Sequence, residues 1–136
     1  MNHHTVTKTF DAPREEVFVY LADVRKLPDW ATEFARELKV VDGRYKVVNG
    51  LGEFFFDIHA DAETGVIDML TGPSEDALIC FPTRVVDTPE GGSAFTFSMF
   101  QAPGQSVAQF ESQYVSLLRE FDNLDRRFNR GRYVRR

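Results

Sequence analysis

The C-terminal third of the chain carries the most restrictive pattern in the sequence. Val107, Phe110, Tyr114, Leu117, Leu118, Phe121, Leu124 and Phe128 recur at helical spacing and fall on one stripe. Ser106 followed by Gln109 supplies a capping box at the start of this run. A helix of this span is about 30 Å long. So long an apolar stripe requires a correspondingly large apolar surface, and the rest of the chain has to provide it.

Residues 33–101 read as that surface. Their apolar residues alternate over short runs broken by turn signals, as in strands with one buried face. Asp42-Gly43 and Asn49-Gly50 suit primed hairpin turns, because both dipeptides tolerate positive φ. Looser turns are expected near 61–64, 72–75 and 89–92. Counting across these turns gives six antiparallel strands, pairing Val40 with Tyr45, Leu38 with Val47, Tyr45 with Phe54 and Asp57 with Asp68. One face collects Phe34, Leu38, Val40, Tyr45, Val47, Phe54, Phe56, Ile58, Ile67, Met69, Leu78, Cys80, Phe95, Phe97 and Met99. The other holds Glu37, Lys39, Arg44, Lys46, Asp57, His59, Asp68, Thr96 and Ser98, with Phe55, Leu70, Ile79 and Phe81 as apolar exceptions. Residues 5–10 alternate as an earlier strand whose apolar side is interrupted by Lys8. Asp11-Ala12-Pro13 then opens a helix with Glu15 and Glu16 at its positive end. Pro28 stops or restarts the helix, so Leu27-Pro28-Asp29-Trp30-Ala31 reads as a short second helix or turn. The expected architecture is α+β: a curved seven-stranded antiparallel sheet wrapped around a long C-terminal helix, with two short helices after the first strand.

At 136 residues, with 43% hydrophobic and 27% charged residues, the chain suits one domain over 1–136. Its 13 Phe imply a strongly aromatic core or an apolar cavity. Of 16 basic residues, six lie from Arg126 onward, leaving 10 against 21 acids in the rest. An acidic body argues against nucleic-acid binding, and residues 129–136 read as a basic, solvated tail. Cys80 is the only cysteine, so no intrachain disulfide can form, and its place on the apolar face predicts burial. The start lacks the basic and apolar regions of a signal peptide, and no apolar run approaches the roughly 20 residues of a membrane span. The expected compartment is the cytoplasm.

Several local passages carry a resemblance. Phe10-Asp11-Ala12-Pro13-Arg14-Glu15-Glu16-Val17-Phe18 is similar to the opening strand-to-helix passage of the SRPBCC group, the START or Bet v 1-like superfamily. Leu27-Pro28-Asp29-Trp30 resembles its short second helix. Gly65-Val66-Ile67-Asp68, Thr83-Arg84-Val85-Val86, and Phe95-Thr96-Phe97 with Pro103-Gly104 resemble small bacterial, polyketide cyclase-like members. The resemblance spans about 5–128 and implies the helix-grip fold. It implies no single activity, since members bind lipids, hormones and polyketides, or act as cyclases and co-chaperones.

Arg84 pairs with Phe97 by count, which places a guanidinium on the apolar face. There it either grips an anionic ligand through its fork of donors or reaches solvent at a strand end or bulge. Trp30 and Phe34 fall at the expected cavity mouth, Phe54, Phe56, Met69 and Phe97 on its walls, and Tyr45 and Tyr114 carry hydroxyls that orient a ligand or reach water. These nine are the candidate ligand-binding residues. Arg36 shares their face and is expected to reach outward. Asp57, His59 and Asp68 resemble an acid-base or metal cluster in composition, but the register sends them to the solvated face. No metal motif, phosphate loop or nucleophile elbow occurs, so no cofactor, metal or catalytic residue is assigned. Three functions follow: binding of a small hydrophobic molecule, anionic or neutral, in an internal cavity; a polyketide cyclase or aromatase-like enzyme; or an interaction module, such as a homodimer, acting through the outer sheet face.

Overall fold

The alternation at the N-terminus produces an edge strand. In the computed structural model, which describes residues 1–129, β1 spans His3–Phe10, with Val6 and Phe10 packed into the core. Pro13 then caps α1 (Arg14–Leu21), whose first turn holds Glu15 and Glu16. One 3-10 turn (Val24–Lys26) leads to α2 (Leu27–Trp30), with Pro28 in its first turn. The strands that follow are β2 (Glu37–Val41), β3 (Arg44–Asn49), β4 (Gly52–Asp61), β5 (Val66–Gly72), β6 (Ile79–Phe81), β7 (Thr83–Asp87) and β8 (Ser93–Phe100). The last element among the described residues is α3 (Val107–Phe128). Its capping box is formed: Ser106 Oγ accepts from the Gln109 N–H at 3.1 Å, and the Gln109 side chain accepts from the Ser106 N–H.

The curved sheet is antiparallel in the order β1-β8-β7-β5-β4-β3-β2, with β6 beside β5 off this path. One strand was expected where β6 and β7 now stand. Pro82 divides them because it has no N–H for the ladder, although its carbonyl accepts from the Ser98 N–H at 3.0 Å. α3 lays Phe110, Leu117, Phe121, Leu124 and Phe128 against the concave face, with Phe121 stacked on Phe95 at 5.4 Å.

The register follows the sequence in its first hairpin and departs from it afterwards. Asp42 and Gly43 take φ of 51° and 77°, and Val40 pairs with Tyr45 and Leu38 with Val47. At the next turn Asn49 sits one place earlier, its Oδ1 accepting from the Leu51 N–H at 2.9 Å, so Tyr45 pairs with Phe56 rather than Phe54. Across the β4–β5 turn His59, not Asp57, pairs with Asp68. Both are shifts of two, which leave every side chain on its own side.

Residues 79–87 behave differently. Seven residues separate the paired Thr71 and Ile79, and five separate the paired Asp87 and Ser93. Both connections are odd, so the segment between them turns over while its neighbours keep their faces. Arg84 pairs with Thr96 and points outward, and Val85 takes the buried place opposite Phe95. Cys80 is exposed, which corrects its expected burial. Ile79 and Phe81 leave the outer face, which reduces the apolar surface expected there to Phe55 and Leu70. Phe55 is also covered, with Lys46 Nζ 4.5 Å and Arg44 Cζ 5.6 Å from its ring.

Two glycines permit close approaches behind the sheet. A Cβ on Gly65, where φ is +79°, would lie 2.0 Å from the Val85 carbonyl oxygen. One on Gly92 would lie 2.2 Å from that of Phe10, so the β7–β8 connection can press against the end of β1 only without a side chain there.

Candidate functional site

One end of the α3–sheet interface is filled. Phe10 lies 5.3 Å from Phe128, and Tyr20 meets Phe128 edge-on at 5.4 Å. A hydrogen-bonded latch closes this end. Asn129, 1% exposed, donates to the Thr9 carbonyl at 2.9 Å and to Asp125 Oδ1 at 2.7 Å, and accepts from the Asp11 N–H at 2.9 Å. Lys8 Nζ stands 3.5 Å from the same Asp125 oxygen, which accounts for a lysine on the inner side of β1. Asn129 is therefore part of the fold rather than of the expected basic tail, whose other residues, 130–136, lie outside the described residues.

The other end is not filled. A cleft of about 580 Å³ runs between the sheet, α3 and the 31–36 segment. Trp30, Phe34, Phe54, Phe56, Met69 and Phe97, six of the nine candidate residues, line it together. Phe81, Met99 and Leu117 extend the apolar wall, while the exposed Leu51, Ile79 and Phe100 lie at its rim. Trp30 is 3% exposed and stands edge-on to Phe95 at 6.2 Å. Phe34 packs on Phe56 at 5.8 Å and Phe81 on Phe97 at 5.9 Å.

The remaining three candidates lie elsewhere. Arg84, turned out by the register, donates from Nε to the Thr64 carbonyl at 2.9 Å and is exposed. Tyr45 is half-buried on β3 and lines no part of the cleft. Tyr114 stacks on His4 at 3.7 Å, and His4 Nε2 meets Glu111 Oε1 at 3.0 Å, which ties β1 to α3. Asp57 and His59 pair at 3.2 Å on the exposed face, and among the described residues no group of three His, Cys, Asp or Glu could hold a metal ion.

The cleft lining contains two acids that sequence reasoning passed over, Glu33 and the buried Glu120. Glu120 is 4% exposed, and its Oε2 accepts from the Glu33 N–H at 3.1 Å and the Phe34 N–H at 2.9 Å. Burial pushes its carboxyl up to about 7, against the two backbone donors, which lower it. The signal was its position: three residues after Leu117 and four before Leu124, on the apolar stripe.

The 31–36 segment that Glu120 holds is fixed from both sides. Asn123 Nδ2 donates to the Trp30 carbonyl at 2.9 Å, and Asn49 Nδ2 to the Phe34 carbonyl at 2.8 Å. Arg119 donates to both carboxylate oxygens of Glu33 at 2.8 and 2.6 Å, and Ser116 Oγ lies 3.0 Å from Glu33 Oε1. This pairing holds the Glu33 carboxyl below its ordinary range. Arg36 is exposed, as expected, but it also lines the cleft, close to Gly50.

This architecture is a helix-grip fold, and solved structures share it across nearly the whole chain. XoxI from Bacillus cereus matches with a TM-score of 0.73 at 15% identity, over 94% of this chain and 96% of that one. DynU16, from the dynemicin biosynthetic locus, matches with a TM-score of 0.69 at 17% identity over 96% of this chain, which spans about half (48%) of DynU16. The Aha1 dimer from Colwellia psychrerythraea matches with a TM-score of 0.65 at 12% identity, covering 93% and 96% of the two chains. At these identities the likeness concerns the fold alone. No family model and no curated protein matches the sequence. Among the described residues, no helix is long and apolar enough to cross a membrane.

Proposed function

We propose that this chain is a small member of the SRPBCC group that binds a compact, largely apolar molecule in the cleft between the sheet and α3. The observation that carries this is the cleft itself, about 580 Å³ and lined by six Phe, two Met and Trp30, with Glu33, Glu120 and Arg36 as its ionisable groups. Burying a ligand's hydrocarbon against these walls supplies affinity, and the sparse polar groups orient it. With Arg84 on the outer face, Arg36 at the cleft is the cation that suits an acidic ligand group. A second reading, a cyclase-type enzyme, is favoured by Glu120, because a carboxyl titrating near 7 is matched to proton transfer at neutral pH.

Trp30 is the sole tryptophan and lines the cleft, so its emission reports occupancy directly. Medium-chain carboxylates and their methyl esters, titrated in turn, should shift that emission and raise the melting temperature. Saturation at a hundred times Kd corresponds to about 2.7 kcal/mol of added stability. Silence from both sets, in emission and in melting, would remove the cleft as a binding site. Product analysis of the same mixtures separates a binder, which returns its ligand unchanged, from an enzyme.

A further inference from the structure

The two oxygens of the Glu120 carboxyl have different surroundings. Oε2 accepts the Glu33 and Phe34 N–H groups at 3.1 and 2.9 Å. Oε1 makes no hydrogen bond among the described residues, yet no sealed side-chain oxygen among them lacks a partner. Oε1 therefore borders open space, and the space that Glu120 borders is the cleft. The backbone donors also decide where a proton sits when the carboxyl is neutral. Two N–H groups occupy both acceptor positions of Oε2, so the hydrogen resides on Oε1, facing the cleft.

We propose that Glu120 is the specificity-determining residue of the cleft, donating this Oε1–H to a carbonyl oxygen on an otherwise apolar ligand. The site then prefers a ketone or ester to a hydrocarbon of the same shape, because a buried donor left without an acceptor is costly. The inference rests on the reading of the cleft as a ligand site and adds the chemistry that the ligand must present.

The surroundings keep the donor form available at neutral pH. Burial raises the carboxyl to about 7; the Glu33 charge adds to this, while the two backbone bonds and Arg119 act in the opposite sense. Glu33 is itself held ionised by Arg119, and Arg36 acts on it in the same direction. The strands facing Glu120 across the cleft contribute Phe54, Phe56, Met69, Phe97 and other uncharged residues, with no titratable group among them.

The test uses the full chain and a matched pair of probes, 2-acetylnaphthalene and 2-isopropylnaphthalene, titrated calorimetrically at two pH values. If only the protonated fraction donates, ketone affinity should fall about tenfold between about pH 6 and about pH 8, while the hydrocarbon changes by less than about twofold. Glu120→Gln keeps an oxygen for the two backbone donors and places an amide N–H where Oε1–H stood. It should bind the ketone at both pH values as tightly as the wild type does at the lower one. Ketone binding that ignores pH in the wild type, or that keeps its pH dependence in Glu120→Gln, would overturn the assignment while hydrocarbon binding preserved the cleft. If neither probe bound any form of the protein, the cleft reading would fall and this inference with it.

Discussion

Glu120 and Asp125 stand little more than one turn apart on the buried side of α3, 4% and 8% exposed, and their environments differ in kind. Asp125 is held by protein groups, among them Asn129 at 2.7 Å, Lys8 at 3.5 Å, and through Asn129 the backbone of Thr9 and Asp11. Aromatic rings fill the space around these groups. Glu120 has two backbone donors on one oxygen and a cleft beside the other. A polar group whose partners all come from the protein joins elements together. A polar group with one atom left over, bordering a cavity, is equipped to meet something from outside.

The comparison breaks most severely at Asn129. Replacing it with Leu removes two donated bonds and one accepted bond, each to a partly or wholly buried group. Asn129→Leu should cost about 3–5 kcal/mol in chemical denaturation, since unsatisfied buried groups each forfeit roughly 1–3 kcal/mol. Binding in the cleft should persist in the fraction that folds. A loss below about 1 kcal/mol would mean that the latch adds little to the fold.

Glu120 should give a smaller effect with a distinctive pH profile. Its carboxyl titrates near 7 when folded and near 4.5 when unfolded, so the folded protein holds more protons between those values. Stability from this group is therefore full below about pH 4.5 and is lost as pH rises toward 7, by about 3 kcal/mol at most. Glu120→Gln lacks the titration. The difference in unfolding free energy between variant and wild type should widen in favour of Gln across that window and level off above it. A constant difference from pH 4 to pH 8 would show that burial does not hold Glu120 neutral.

The elements of the fold were legible because periodicity records them. The α3 helix, the Ser106 cap and the Asp42-Gly43 hairpin formed where the pattern placed them, although two residues of the expected stripe, Val107 and Leu118, are exposed. The six cleft-lining candidates came together because Trp30 and Phe34 lie in or beside α2, Phe54, Phe56 and Met69 lie on strands whose register moved by two, and Phe97 lies on β8, whose face the two odd connections restore. Loop parity was not legible. Nothing in Gly72-Pro73-Ser74 or Pro89-Glu90-Gly91 states whether the connection holds an odd or an even number of residues, and that number alone decides which side Arg84 and Cys80 face. Glu120 was visible but was not singled out. Its place on the stripe, between Leu117 and Leu124, carried the information.

Arg84 offers the mildest perturbation and a direct check of that parity. On the inner face its guanidinium would sit beside Phe95 and Phe97, and Arg84→Met would alter any ligand response. In the observed register it is exposed and spends its Nε donor on the Thr64 carbonyl, at the turn that Gly65 lets approach β7. Exposed hydrogen bonds of this sort contribute little, so Arg84→Met should change unfolding free energy by no more than about 0.5 kcal/mol. It should leave the Trp30 emission response to carboxylates and esters unchanged. Val85→Arg makes the complementary change, forcing a cation into the fully buried place opposite Phe95, and should unfold the protein outright. If Arg84→Met weakened carboxylate binding selectively, β7 would have to lie with its other face inward, and the cleft would hold a cation that this register excludes.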